Sequence, residues 1–176
     1  MIEAFIDYAA HQPTDTTSPL YLELNTAGML GAQFGNSLTS DRVTIYDANA
    51  QIGNTPYVKL YDRGQRQRMQ TFLGGSYIEK QTLVCECVAL GASALSATNR
   101  AELLKLAVEG FVKTQQSGIM SLTTRTDLGG TASTESIVSL QIGSPDQETP
   151  VQGQSPRFTA TRTALIELWV SMERKR

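Results

Sequence analysis

The sequence predicts an α+β fold: a mostly antiparallel or mixed β-sheet, an N-terminal helix, a second amphipathic helix packed on one face, and long strands that extend to neighbouring subunits. Three observations point there. Residues 77–90 read as one long strand, and a polar turn joins them to an amphipathic helix over about 99–116. Residues 157–172 alternate apolar and polar side chains, the period of a strand with one buried face. The first residues carry an apolar stripe at helical spacing. Helices set among strands in this order pack against a sheet as a layer. With 176 residues the chain is long enough for one domain with a substantial core, spanning 1–176.

The elements follow in order. Ile2, Phe5, Ile6 and Ala9 fall at i, i+3, i+4 and i+7, so residues 1–11 form a short helix. Glu3 suits the positive end of its dipole, and Pro13 closes it. Residues 12–19 are a loop. Leu20, Leu22 and Leu24 alternate with Tyr21, Glu23 and Asn25, which suits a short strand better than a bent helix. Residues 26–40 carry three glycines and no period, and are expected to be irregular. Residues 41–47 form a strand with Val43 and Ile45 on one face. A loop over 48–56 turns at Gly53-Asn54, and 57–61 is another strand.

A basic segment, 63–68, comes next, and Gly74-Gly75 breaks the chain before the long strand. In the helix, Asn99 is the expected N-cap and Glu102 its partner three residues on. Leu104, Ala107, Val108, Phe111 and Val112 form the core stripe, Leu103 and Leu106 widen it, and Gly118 stands where a glycine stop belongs. Residues 119–126 are a strand candidate, 128–132 a hairpin turn or a loose loop, and 137–142 a strand. Residues 143–156, with Pro145 and Pro150, are too polar and too rich in Pro and Gly to pack, and read as a long exposed loop. In the last strand Phe158, Ala160, Ala164, Ile166, Leu168, Val170 and Met172 share a face that only Arg162 interrupts.

Composition bounds the function. The chain is 40% apolar and 18% charged, with net charge −2. A strong non-specific hold on DNA is not expected from that balance, although a channel that DNA passes through stays open. Cys85 and Cys87 lie two apart on the strand and share a face. A disulfide there would strain the strand, and two thiolates with no nearby histidine make a poor zinc site. They read as buried thiols. No apolar run reaches the ~20 residues of a membrane span, and the acidic start lacks the base of a signal peptide, so the chain is expected in the cytosol when made.

Chemistry-bearing residues are few. His11 has no cysteine beside it and reads as a surface histidine. Asp41, Asp47 and Asp62 flank strands, where aspartates form turns more often than they bind metal. Gly129-Gly130 leads to no lysine, so a phosphate-cradling loop is ruled out, and the 31–35 glycines lack dinucleotide spacing. No catalytic residue, cofactor site or metal site is expected. Arg63, Arg66 and Arg68 are the strongest charged candidates. With Lys59 they could touch a phosphate backbone, lie in a contact between subunits, or be solvated in a loop.

The strands over 77–90 and 157–172 exceed the usual ~5–6 residues more than twofold. Such strands invite pairing with another chain. The 83–90 half is expected to build the fold, and the 77–81 half, with Tyr77, Glu79 and Lys80, to leave it and meet a neighbour. Thr159, Thr161 and Thr163 would face solvent or that neighbour.

The N-terminal amphipathic helix, the strand Val43-Thr-Ile-Tyr-Asp47 before a Gly/Pro loop, the long strand feeding Asn99-Arg-Ala-Glu-Leu-Leu-Lys-Leu-Ala-Val, and the closing strands together resemble the tail-terminator (tail-completion, minor capsid-like) proteins of tailed bacteriophages. The likeness covers most of 1–112 and, more loosely, the last strand. It is one of element order. It implies an α+β subunit of a hexameric ring with no catalytic residues. Such a ring caps the tail tube, ends its growth and meets the head-tail connector, and DNA crosses its lumen without sequence-specific binding. The chain would then belong to the virion, assembled in the host cytoplasm. The 12–40, 63–75 and 143–156 segments look like insertions on the simplest members, and could serve a sheath protein. Another neck or tube subunit and a small oligomeric α+β enzyme are the alternatives.

Overall fold

The structure, a computed structural model, describes residues 1–10, 19–25, 44–46, 56–72, 76–128, 131–145 and 148–174. The helices are α1 (Ile2–Ala10), α2 (Pro19–Asn25), α3 (Ala94–Thr114) and α4 (Gln116–Met120). The strands are β1 (Thr44–Tyr46), β2 (Tyr57–Thr71), β3 (Tyr77–Gly91), β4 (Thr123–Leu128), β5 (Thr131–Gly143), β6 (Gln152–Gln154) and β7 (Arg157–Arg174). All seven join one sheet in the order β1-β2-β3-β7-β5-β4, with β6 paired to β7 off that path. Every pairing is antiparallel except β1 with β2. The sheet curls like half a barrel, and α1 and α3 pack on it. The α+β expectation holds, with a mixed sheet.

The two long strands are the middle of the sheet. β3 pairs with β7 along its whole length, from Tyr77 opposite Met172 to Gly91 opposite Phe158. Leu83, Cys85, Cys87 and Ala89 point to one face and are fully buried. Ala160, Ala164, Ile166, Leu168 and Val170 share that face from β7. Against them α3 lays Leu104, Ala107, Val108, Phe111 and Val112, all buried in one core cluster. Each large side chain there contributes roughly 1.5–3 kcal/mol through burial. Phe5 of α1 meets Phe111 edge to face, with ring centroids 6.5 Å apart. Arg162, the one charge on the apolar face, lies among ion partners rather than in the core. It bridges to Glu102 of α3 at 3.4 Å and to Glu148 at 3.2 Å.

Several elements differ from the sequence expectations, each for a local reason. Residues 19–25 form a helix, not a strand. Leu20 and Leu24, four apart, are buried, while Leu22 is 50% exposed. Pro19 sits at the first helical position, where its missing N–H costs nothing. α3 begins at Ala94, not near Asn99, because the Ser93 hydroxyl accepts the Ser96 amide at 3.1 Å. Gly118 is no helix stop. α3 ends at Thr114, and Gly118 lies inside α4, where a Cβ would come within 2.3 Å of the Tyr8 hydroxyl. The 119–126 strand candidate is helix to Met120 and strand only from Thr123. β4 and β5 form the expected hairpin, with Leu128 opposite Thr131. The 143–156 loop is not wholly irregular, because β6 lies antiparallel to the start of β7.

His11, Asp41, Asp47, the 31–35 glycines, Gly74-Gly75 and most of the 26–43 and 48–56 expectations lie outside the described residues. The described part of the 41–47 strand, β1, buries Ile45.

Candidate interaction surface

The predicted basic segment is strand. β2 does not end at Tyr61 but continues to Thr71, pairing with β3 from Arg66 opposite Gln81 to Thr71 opposite Tyr77. Sequence periodicity missed this because 62–71 has no apolar alternation; the segment is a strand because β3 offers it a hydrogen-bonding edge. A bulge between Asp62 and Arg66 interrupts the register. Gly64 takes φ +72° there, and its amide donates to Asp62 Oδ1 at 2.8 Å.

Tyr77, Glu79 and Lys80 therefore do not leave the sheet. Their backbones pair on both sides, with β2 and with β7. What projects is the β2 side of this arm: every residue from Asp62 to Phe72 is exposed. Its far end also carries Met69 and Phe72, 42% and 43% exposed.

The three arginines do not form one patch. The Arg66 guanidinium is bound by the Asp62 carboxylate, and its Nε lies 3.6 Å from Glu79. Burial pushes the Asp62 carboxyl up, but the bonds from Arg66 and the Gly64 amide outweigh it and hold it below its ordinary value. Arg68 stacks over the Tyr77 ring at 4.1 Å. Arg63 and Arg66 both line a recess of about 550 Å³ beside Lys80, Thr82, Leu165 and Glu167. Lys80 and Glu167 bridge it at 2.6 Å. Arg66 and Arg68 are thus tied down within the subunit, and Arg63 is exposed beside the same recess.

Lys80, Thr82 and Glu167 belong to the sheet face opposite the α3 core. On that face Val84 has Tyr61 and Leu165 as cross-strand neighbours, and Val88 has Tyr57 and Thr161. Both valines are nearly buried, yet neither belongs to the core cluster under α3. Thr159, Thr161 and Thr163 lie on this face, partly buried, opposite Leu90, Val88 and Glu86. Tyr61 donates to Glu86 Oε1 at 2.6 Å. Burial first, then that bond and the Glu86 charge, raise its phenol to about 12.

The remaining candidates lie apart. Pro145 and Pro150 flank Glu148, which the Arg162 bridge ties to the body of the fold. Cys85 and Cys87 are free thiols, fully buried, and burial pushes both well above the ordinary thiol range. Among the described residues no three His, Cys, Asp or Glu side chains are placed to hold a metal, and no helix is long and apolar enough to cross a membrane. One buried polar atom stands out near the arm: Gln81, 3% exposed, gives its amide N–H to Glu79 at 3.1 Å while its Oε1 has no protein partner.

The arrangement places a strand edge, tied charge and two exposed apolar side chains on one arm. No known protein-family model matches the chain, and a search of curated proteins finds no match.

Proposed function

We propose that this protein is a structural subunit of a phage tail or neck, assembling as a ring at the head-proximal end of the tail tube. The order of helix, long central strand, amphipathic helix and closing strands is the reason for naming that class. The observation that carries the assembly role is the arm. β2 runs ten residues past Tyr61 with every side chain through Phe72 exposed, two of them large and apolar. A lone subunit gains nothing from holding Met69 and Phe72 in water, whereas a contact that covers them gains hydrophobic free energy. The mechanism is complementarity: one ring face matches the last tube ring, the other does not, and growth stops. On the arm Arg66 is paired with carboxylates of its own subunit, whereas Arg68, stacked on Tyr77, and exposed Arg63 keep their charge, so the reading requires that these two not line the lumen.

Two measurements test the proposal. Mass in solution together with micrographs should show closed rings with an open pore, about six subunits if the resemblance holds. A compact dimer with a closed polar pocket would replace the ring by a small oligomeric enzyme. Tails assembled without this protein should be overlong and headless. Tails of normal length with heads attached would remove it from the neck.

A further inference from the structure

The bulge in β2 opens the recess beside Lys80. Between Asp62, opposite Leu83, and Arg66, opposite Gln81, β2 carries three residues where β3 carries only Thr82. Gly64, at φ +72°, lets the chain leave the ladder there. Thr82 is left without a cross-strand partner on β2, and it lines the recess together with Arg63 and Lys80. It is 7% exposed, and its hydroxyl makes no hydrogen bond among the described residues. A nearly buried hydroxyl without a partner is a group that a ligand oxygen can satisfy.

Charge says which kind of ligand. Arg63, Arg66 and Lys80 line the recess against one carboxylate, Glu167, in a chain whose net charge is −2. Lys80 and Glu167 pair at 2.6 Å, and Arg66 is held by Asp62 and Glu79. Exposed Arg63 has no ion-pair partner among the described residues. One positive charge is therefore uncommitted. It matches one carboxylate, which a guanidinium can bind through two parallel hydrogen bonds. A nucleic-acid strand carries a charge at every phosphate, and Glu167, Asp62 and Glu79 would repel the others.

We infer that this recess takes a single carboxylate side chain, presented by a protein that meets the arm. The inference rests on the assembly reading above and names the chemistry of one of its contacts. Arg63 holds the carboxylate by charge, and the Thr82 hydroxyl donates to one of its oxygens. The recess lies on the strand that also carries exposed Met69 and Phe72, so a partner covering those side chains has the recess within the same contact. Arg63 is then neutralised by that partner rather than by DNA.

Trp169, the chain's only tryptophan, reports on the site, because it stands opposite Lys80 and two residues beyond Glu167 on the same face. Its fluorescence in the full chain, at constant ionic strength, should change and saturate with the peptide acetyl-Gly-Glu-Gly-amide. The same peptide with Gln in place of Glu should give no saturable change. Arg63→Gln should weaken binding of the Glu peptide by roughly 10-fold or more, and Thr82→Val by about 2- to 10-fold. Urea midpoints close to the parent's show that both variants are folded. No saturable response to the Glu peptide, or an equal one in the parent and Arg63→Gln, would overturn the inference and leave the ring to be decided by native mass. Saturation by octathymidylate or inorganic phosphate at a lower concentration than by the Glu peptide would overturn it in favour of a phosphate site. A monomeric chain that still binds the Glu peptide through Arg63 would keep the site and remove the ring.

Discussion

Tyr61 shows how much one side chain on the face opposite α3 has been set by its surroundings. Its hydroxyl gives a 2.6 Å hydrogen bond to Glu86, and its ring carries the Lys59 ammonium 5.6 Å from the centroid. Burial and the Glu86 carboxylate raise the phenol from 10.0 to about 12, so the folded chain holds that proton more tightly than the unfolded chain does. The resulting stability is fully present below the unfolded value near 10.0 and is lost as pH rises through about 12. Tyr61→Phe should cost about 0.5–1.5 kcal/mol at pH 9, the worth of one hydrogen bond. Its deficit against the parent should shrink as pH climbs toward that raised value, since only the parent has a phenolate to bury. Urea unfolding of both proteins across this window checks it, and a deficit that stays constant would show that Tyr61 titrates normally. Nothing in the sequence marked Tyr61, because its partner lies 25 positions away and meets it only through the β2–β3 register.

Elements were legible where their own residues carry the pattern. The α3 core stripe, the two long strands and the β4–β5 hairpin were readable because apolar period and turn residues are local signals. Boundaries were not. The Asn99–Glu102 pair has the form of a capping box, but Ser93 is also a good N-cap, and 94–98 contains no residue that resists a helix. Longer helix won because it buries Ala97 as well as Ala101. Leu20, Leu22 and Leu24 satisfy both strand and helix periods, and only packing on α3 separates them. The cap assignment gives a clean comparison. Ser93→Ala should lower stability by about 1 kcal/mol, while Asn99→Ala, exposed and inside the helix, should change it by less than about 0.5 kcal/mol. Chemical denaturation of the two variants decides it, and the reverse order would move the helix start back to Asn99. The candidate site was legible only in part. The arginine segment stood out by charge, but which arginine is free depends on the bulge at Asp62–Arg66, and that lies in the pairing with β3 rather than in any local motif.

At the scale of the whole molecule, one end of the sheet carries the core and the other an exposed arm. α3 packs over β3 and β7 and buries the face that holds Leu83 to Ala89, while its outer side leaves Leu95 exposed, and Leu106, which the apolar stripe was expected to include, 50% exposed. The arm differs: among the described residues β2 beyond Tyr61 is held through β3 alone, and Met69 and Phe72 stand at its end. If those two side chains serve assembly, removing them should separate association from folding. Met69→Ser with Phe72→Ser should leave the urea midpoint of the isolated subunit nearly unchanged, since surface positions usually alter stability by no more than about 0.5 kcal/mol. The same pair should weaken self-association by roughly 10- to 100-fold, the loss of about 1–3 kcal/mol of buried apolar contact. Sedimentation equilibrium reads the second quantity and denaturation the first. Unchanged association would mean that the arm is not where subunits meet. A fall in the midpoint as large as the loss of association would mean that these side chains hold the β2–β3 hairpin together, and that their exposure serves the fold rather than a partner.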